Sequence, residues 1–198
     1  MTPITLALIF GYLLGSIPFG LVITRMAGLG DIRKIGSGNI GATNVLRTGR
    51  KGLALLTLLF DLGKAALAAV LFRSIFDSEA VGYMAGFSAV LGHNYPVWLG
   101  FKGGKGVAST LGMMLVLTPL VGILTCLTWL FMAFTFRYSS LSALTALCLA
   151  PVYAFVLETP AAAGCYTLLA ALSLWRHRGN IKRLINGEES KINFKRKK

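Results

Sequence analysis

Apolar runs long enough to cross a bilayer, divided by short basic clusters, constrain this chain more than any other feature. A helical span needs about 20 apolar residues. Residues 5–24 and 52–76 meet that length, and 80–92 does so if it continues into 93–99. Residues 107–136 are apolar for too long to cross once, and Thr118-Pro119 in the middle is a natural break, because a residue before proline is pushed out of helical geometry. Residues 141–157 and 160–175 follow, separated by Glu158-Thr159-Pro160. Mean hydropathy is +0.70, which suits a polytopic membrane protein and not a soluble domain. Met1 opens directly into an apolar run with no basic region before it, so the first run reads as a retained span.

Charge placement predicts the topology. The net charge is +13, a value that in a soluble chain would suggest nucleic acid. Here the cations fall between and after the apolar runs, as positive-inside topology requires, and nucleic acid is not expected. Residues 25–51 hold Arg25, Arg33, Lys34, Arg47, Arg50 and Lys51 against Asp31. Lys102 and Lys105 precede 107, Arg137 follows 136, and nine Lys and Arg follow Trp175. Keeping all of these on one side demands two crossings between Lys105 and Arg137 and two more before Arg176. The expectation is an all-α integral membrane protein: a bundle of seven transmembrane helices, N-terminus outside and C-terminus cytoplasmic. No linker or internal repeat marks a second domain, so residues 1–198 read as one domain with a basic tail at 189–198. Lys195-Arg196-Lys197-Lys198 suits anionic head groups of membrane lipids. Cys126, Cys148 and Cys165 lie in apolar runs without metal or redox spacing.

This topology puts three polar segments on the cytoplasmic face: 36–51, 93–106 and 176–189. Irregular glycine-rich backbone at membrane depth is tolerable only where protein or a wet cavity satisfies it, so the three are expected to form one composite site. In the first, Gly36-Ser37-Gly38-Asn39-Ile40-Gly41-Ala42-Thr43-Asn44-Val45-Leu46-Arg47, the glycines allow close backbone approach. Ser37, Asn39, Thr43 and Asn44 have the groups to bind phosphate or glycerol oxygens, and Arg47 to clamp a phosphate. A turn-rich loop with helix caps fits the same residues. The second, from Gly92 through Phe101-Lys102-Gly103-Gly104-Lys105-Gly106, can turn several N–H groups onto an anion, with Lys105 as phosphate contact and Lys102 as a rim charge. It lacks the spacing of a nucleotide-binding P-loop. His93 and Asn94 read either as ligands or as helix caps. In the third, His177 and Asn180 share a helix face if the helix continues, although a juxtamembrane basic cluster is also a plain topology signal. Asp61 and Lys64, three apart within a span, read as an ion pair that fixes helix packing or as part of the polar site.

Taken together, segments 36–47, 92–108 and 176–189 resemble the three signature motifs of the bacterial acyl-phosphate-dependent glycerol-3-phosphate acyltransferase family, the PlsY family. The match runs in order along nearly the whole chain. Small departures are Tyr95, where phenylalanine is common, Ser109 between Ala108 and Thr110, and Ala65 after Lys64. The resemblance implies transfer of a fatty acyl group from acyl phosphate to the 1-hydroxyl of sn-glycerol 3-phosphate, giving lysophosphatidate and inorganic phosphate in the bacterial inner membrane. It implies a pathway link to PlsX, the soluble enzyme that makes acyl phosphate. No cofactor is expected, and no metal either, since no carboxylate or His cluster stands beside the glycine-rich loops. The resemblance carries family roles onto Ser37 and Arg47, onto Gly103, Gly104, Lys105 and Gly106, and onto His177 and Asn180, with Glu189 structural.

Catalytic roles are accordingly expected for Ser37, Lys105, His177 and Asn180. Substrate-binding roles are expected for Arg47, Asn39, Asn44, His93, Lys102, Gly103, Gly104 and Gly106. Acyl phosphate is already activated, so direct attack by the glycerol hydroxyl needs mainly positioning and charge neutralisation. The His-x4-Asp acyltransferase signature is absent: Trp98 and Lys182 stand where the acid would follow His93 and His177. A transporter for phosphate or a phosphorylated metabolite would also use basic loops and broken helices, but its polar groups would not gather at one face. A lipid-binding scaffold would explain the tail and not the ordered Gly/Asn motifs.

Overall fold

The structure is a computed structural model that describes residues 1–192; the terminal Lys195-Arg196-Lys197-Lys198 cluster lies outside the described residues. Those residues are helical or irregular, with no strand among them. The helices are α1 (Pro3–Gly15), α2 (Phe19–Met26), α3 (Ala42–Leu46), α4 (Lys51–Phe76), α5 (Glu79–Asn94), α6 (Val107–Leu117), α7 (Pro119–Phe136), α8 (Ser139–Leu157), α9 (Pro160–Arg176) and α10 (Arg178–Ile185). Four helical segments are long and apolar enough to cross a membrane: Pro3–Met26, Lys51–Phe76, Pro119–Phe136 and Ser139–Leu157.

Local signals explain the boundaries. Thr2 caps α1 by accepting from the Thr5 N–H at 3.2 Å, and Thr159 does the same for α9 through Ala162 at 3.3 Å. Both helices carry proline in the first turn, where its missing N–H costs nothing. Asp77, in the left-handed region at φ 44°, ends α4, and Ser78 caps α5. The Thr118-Pro119 break falls between α6 and α7 as the sequence predicts. The first apolar run differs from expectation. Instead of one helix over 5–24, it breaks at Ser16-Ile17-Pro18, because Pro18 cannot donate and disfavours helical geometry at Ile17.

The chain forms two compact units, Met1–Gly122 and Ile123–Lys198. In the first, α5 packs on α1 and α4, and α6 packs on α4. The contacts are backbone-close: a Cβ at Gly11 or Gly15 would overlap the Ala85 or Ala89 carbonyl, and one at Gly112 the Leu62 carbonyl. Ser88 Oγ donates to the Leu8 carbonyl at 2.5 Å and Ser109 Oγ to the Asp61 carbonyl at 2.9 Å. In the second unit α8 packs on α9, and α10 touches both; Thr128 on α7 shares a hydrogen bond of 2.9 Å with Tyr153 on α8. The helices bury alanine, as at Ala65, Ala69, Ala89 and Ala150, and expose Leu59, Leu67, Phe131 and Phe155. Small residues inside and large apolar ones outside are the arrangement that lipid favours, where helices associate by close packing.

Candidate active site

In the first unit, the segment after α2 turns through a short 3-10 helix, Ile32–Lys34, into the loop that leads to α3. Asp31 caps that turn and receives the Arg33 guanidinium at 2.6 Å, and these bonds hold its carboxyl well below the usual carboxylate range. The loop is organised around the buried carboxamide of Asn44, 2% exposed. Its Nδ2 donates to the carbonyls of Ile32 (2.9 Å), Ile35 (3.1 Å) and Asn39 (2.8 Å). Its Oδ1 accepts from the Ser37 N–H at 3.0 Å, the Ser37 hydroxyl at 3.3 Å and Arg47 Nη1 at 3.5 Å. One oxygen therefore gathers Ser37 and Arg47, both exposed. Gly36, at φ 57°, has no room for a side chain: a Cβ would meet Asn44 Oδ1 and the Arg47 side chain. Asn39 is half-buried, its Oδ1 accepting from the Ile40 N–H at 2.9 Å.

The second glycine-rich segment folds back over the end of α5. The Gly104 N–H donates to the His93 carbonyl at 2.9 Å and the Gly103 N–H to the Asn94 carbonyl at 3.3 Å. These two amides shape the turn by bonding carbonyls at the end of α5. A Cβ at Gly104 would strike the His93 ring at Nε2, one at Gly103 the His93 carbonyl and Pro96, and one at Gly106 (φ 78°) the Asn94 carboxamide. Lys105 is half-buried and Lys102 exposed. Leu99 of this segment packs on the cluster of Leu21, Ile32, Val45 and Ala54 that underlies the first loop, so one apolar patch seats both.

Beneath them Asp61 and Lys64 form a buried ion pair of 3.1 Å, their side chains 3% and 1% exposed. The pair reaches beyond α4. Lys64 Nζ donates to the Ile17 carbonyl at 2.9 Å, at the break between α1 and α2, and lies 5.8 Å from the centre of the Phe19 ring. Asp61 Oδ1 is 3.5 Å from His93 Nδ1.

In the second unit His177 sits at the junction of α9 and α10, 2% exposed. Its Nδ1 lies 2.8 Å from the Ser173 carbonyl, which can only accept, so Nδ1 carries a proton and a neutral ring keeps its lone pair on Nε2. Asn180 is buried and donates through Nδ2 to Glu189 Oε1 at 2.6 Å. Glu189 also receives Ser140 Oγ at 2.7 Å and Arg183 Nε at 2.7 Å. Burial alone would raise its carboxyl, but the three hydrogen bonds outweigh that and hold it below its ordinary value.

The structure thus brings Ser37, Asn39, Asn44 and Arg47 into one loop, and His93, Gly103, Gly104 and Gly106 into another on the same unit. It keeps His177 and Asn180 within four residues of chain, both buried. Sequence reasoning missed the Asp61–His93 contact, the Lys64 bond to Ile17, and Ser140 and Ser173 as partners of Glu189 and His177. No spacing links Asp61 to His93. A helical Ser173–His177 interval was readable as one i, i+4 pair among many.

Comparison with known proteins follows the same segments. The family model for glycerol-3-phosphate acyltransferase matches residues 5–187. The glycerol-3-phosphate acyltransferase of Rhodospirillum rubrum is 60% identical over 194 residues, covering 94% of this chain and 90% of that protein. That of Paramagnetospirillum magneticum is 58% identical over 197 residues, covering 100% and 98%. Two crystal structures of PlsY, an integral membrane glycerol 3-phosphate acyltransferase, are similar. The glycerol 3-phosphate form has TM-score 0.91 at 40% identity, covering 97% of this chain and 96% of that one. The lysophosphatidic acid form has TM-score 0.89 at 39% identity, with the same coverage. With the match running from the first apolar helix through all three polar segments, this chain belongs to the glycerol-3-phosphate acyltransferase family.

Proposed function

We propose that this protein transfers a fatty acyl group from acyl phosphate to the 1-hydroxyl of sn-glycerol 3-phosphate, releasing lysophosphatidate and inorganic phosphate. The observation that carries this reading is the Asn44 hub, which holds a hydroxyl and a guanidinium side by side on a rigid loop. That pairing suits a phosphorylated polyol better than a lipid head group bound through charge alone. The crystal structures of the similar PlsY in its glycerol 3-phosphate and lysophosphatidic acid forms support the same acceptor and product. Family membership also weighs against the transporter reading.

In this scheme Arg47 binds the glycerol 3-phosphate phosphate as a charge-assisted fork. Lys105 and Ser37 hold the donor phosphate and the negative charge that grows as the hydroxyl attacks the acyl carbonyl, with the Gly103 and Gly104 turn fixing where Lys105 starts. Asn39, His93, Lys102 and Gly106 take the substrate-binding roles expected of these two loops. His177 and Asn180 take the acceptor-orienting roles that the family resemblance gives them. The carbon–oxygen bond to phosphate breaks as the new ester forms, phosphate leaves, and the hydroxyl proton goes to His177 Nε2 or to a substrate phosphate oxygen. The protein sits in the bacterial cytoplasmic membrane as seven transmembrane helices, N-terminus outside, with its loops on the cytoplasmic side, where PlsX supplies acyl phosphate.

The test is purified protein in detergent with acyl phosphate and labelled glycerol 3-phosphate. Stoichiometric lysophosphatidate and phosphate are expected, whereas labelled glycerol 3-phosphate crossing liposomes without ester formation refutes the enzyme reading. An acyl group trapped on Ser37 refutes direct attack.

A further inference from the structure

The geometry points to Asp61 as a positioning residue for acyl transfer: through His93 it fixes the Gly103-Gly104 turn, while Lys64 neutralises it and ties the pair to the α1–α2 break. This rests on the reading that the second glycine-rich loop, with Lys105, binds a substrate phosphate.

A buried ion pair is a weak stabiliser, since well-packed apolar residues of similar volume often serve as well or better. The outward contacts of this one are specific. Asp61 Oδ1 lies between Lys64 Nζ at 3.1 Å and His93 Nδ1 at 3.5 Å. The imidazole stands with Nδ1 facing this carboxylate on α4 and Nε2 facing the loop. Gly104 lies directly over that Nε2, close enough that a Cβ would collide with it, and the Gly104 N–H binds the His93 carbonyl at 2.9 Å. The next residue is Lys105. Rotation or retreat of the ring would let the turn sink or tilt, and the Lys105 backbone would move with it. Lys64, bonded to the Ile17 carbonyl at 2.9 Å, anchors the other end of the chain of contacts to a fixed point of backbone. A displacement of about 1 Å at a reacting group costs about 100-fold in rate, so this support is worth far more to catalysis than to stability.

The deciding experiment separates charge balance from positioning in the purified full-length protein. D61N alone leaves Lys64 buried without its counter-charge and is expected to lower both melting temperature and activity. D61N/K64Q removes both charges and keeps an amide to donate toward Ile17. Its melting temperature is expected to return close to wild type, while kcat/KM for acyl phosphate stays down about 10- to 100-fold. Adding H93A to the double variant is expected to cost nothing beyond H93A alone. Recovery of kcat/KM together with melting temperature in D61N/K64Q overturns the inference and leaves the pair a packing device. If that variant does not fold, D61E decides. It keeps the charge pair but moves the carboxylate by one methylene against His93, and wild-type kcat/KM in D61E overturns the inference equally. K105A distinguishes the two levels: unchanged acyl phosphate kinetics in K105A refute the loop reading itself, whereas an impaired K105A beside a normal D61N/K64Q refutes only the role of Asp61.

Discussion

Replacing Asn44 by alanine removes the carboxamide that closes the first loop. The two Nδ2 hydrogens are shared among three carbonyls, those of Ile32, Ile35 and Asn39, between 2.8 and 3.1 Å. A net worth of about 1 kcal/mol for each hydrogen gives about 2 kcal/mol favouring the closed loop. At 1.36 kcal/mol per factor of ten, the closed population and kcat/KM should fall by up to about 30-fold. The assay is lysophosphatidate formation over a range of glycerol 3-phosphate concentrations, with the loss appearing mainly in KM because Arg47 is left unaimed. N44D sharpens the test. It is isosteric and keeps Oδ1 for Ser37 and Arg47, yet as an ionised carboxylate it turns an acceptor toward three carbonyl oxygens. It should therefore be at least as impaired as N44A near neutral pH. If N44D retains activity within about threefold of wild type, the donor bonds are not what closes the loop and the reasoning fails.

Other outcomes follow from the same contacts. G104A should lose at least about tenfold in kcat/KM with an unchanged circular dichroism spectrum, because its methyl would displace the His93 ring. G63A is the matched control: nothing lies within 4 Å of a Cβ there, so activity should be unchanged and melting temperature equal or higher. Glu189, held below its ordinary value of 4.5, stabilises the folded state above that pH and loses the contribution as pH falls below it. The melting-temperature gap between wild type and E189Q should accordingly be present at neutral pH and close progressively below about 4.5; a gap that widens in acid refutes the hydrogen-bond account.

The helices were legible because lipid imposes length and apolarity on them, and the Thr118-Pro119 break because proline acts locally. The break at Pro18 carries the same local signal, but the apolar run on both sides masked it, since Ser16 and Ile17 look like ordinary helix residues in a span. The loop residues were legible as types and not as roles. Asn44 looks in sequence like one more hydrogen-bonding ligand beside Ser37 and Asn39. Only the fold shows that both ends of its amide are engaged within the loop, with three carbonyls on one side and Ser37 and Arg47 on the other. Likewise Asp61 and Lys64 announce a pair by spacing, whereas their reach to His93 and Ile17 depends on how α4 sits against α5 and the α1–α2 break.

Each polar segment is held by a buried polar side chain of its own unit, and membrane physics explains why. Irregular backbone cannot rely on water at membrane depth, so its carbonyls and amides must be met from within. Asn44 does this for the first loop with its two-sided carboxamide. The second loop uses the His93 and Asn94 carbonyls for its amides and the His93 ring, which has Asp61 3.5 Å behind it, as a floor. The third uses Glu189, whose carboxylate takes Ser140, Asn180 and Arg183 together. In the first and third cases the clamp holds a side chain proposed to meet substrate, Arg47 or Asn180; in the second it sets the backbone before Lys105. Removing a clamp of the first unit should therefore cost activity before it costs the fold, since the helices of that unit are packed by Gly11, Gly15 and Gly112 through contacts that the loops do not share.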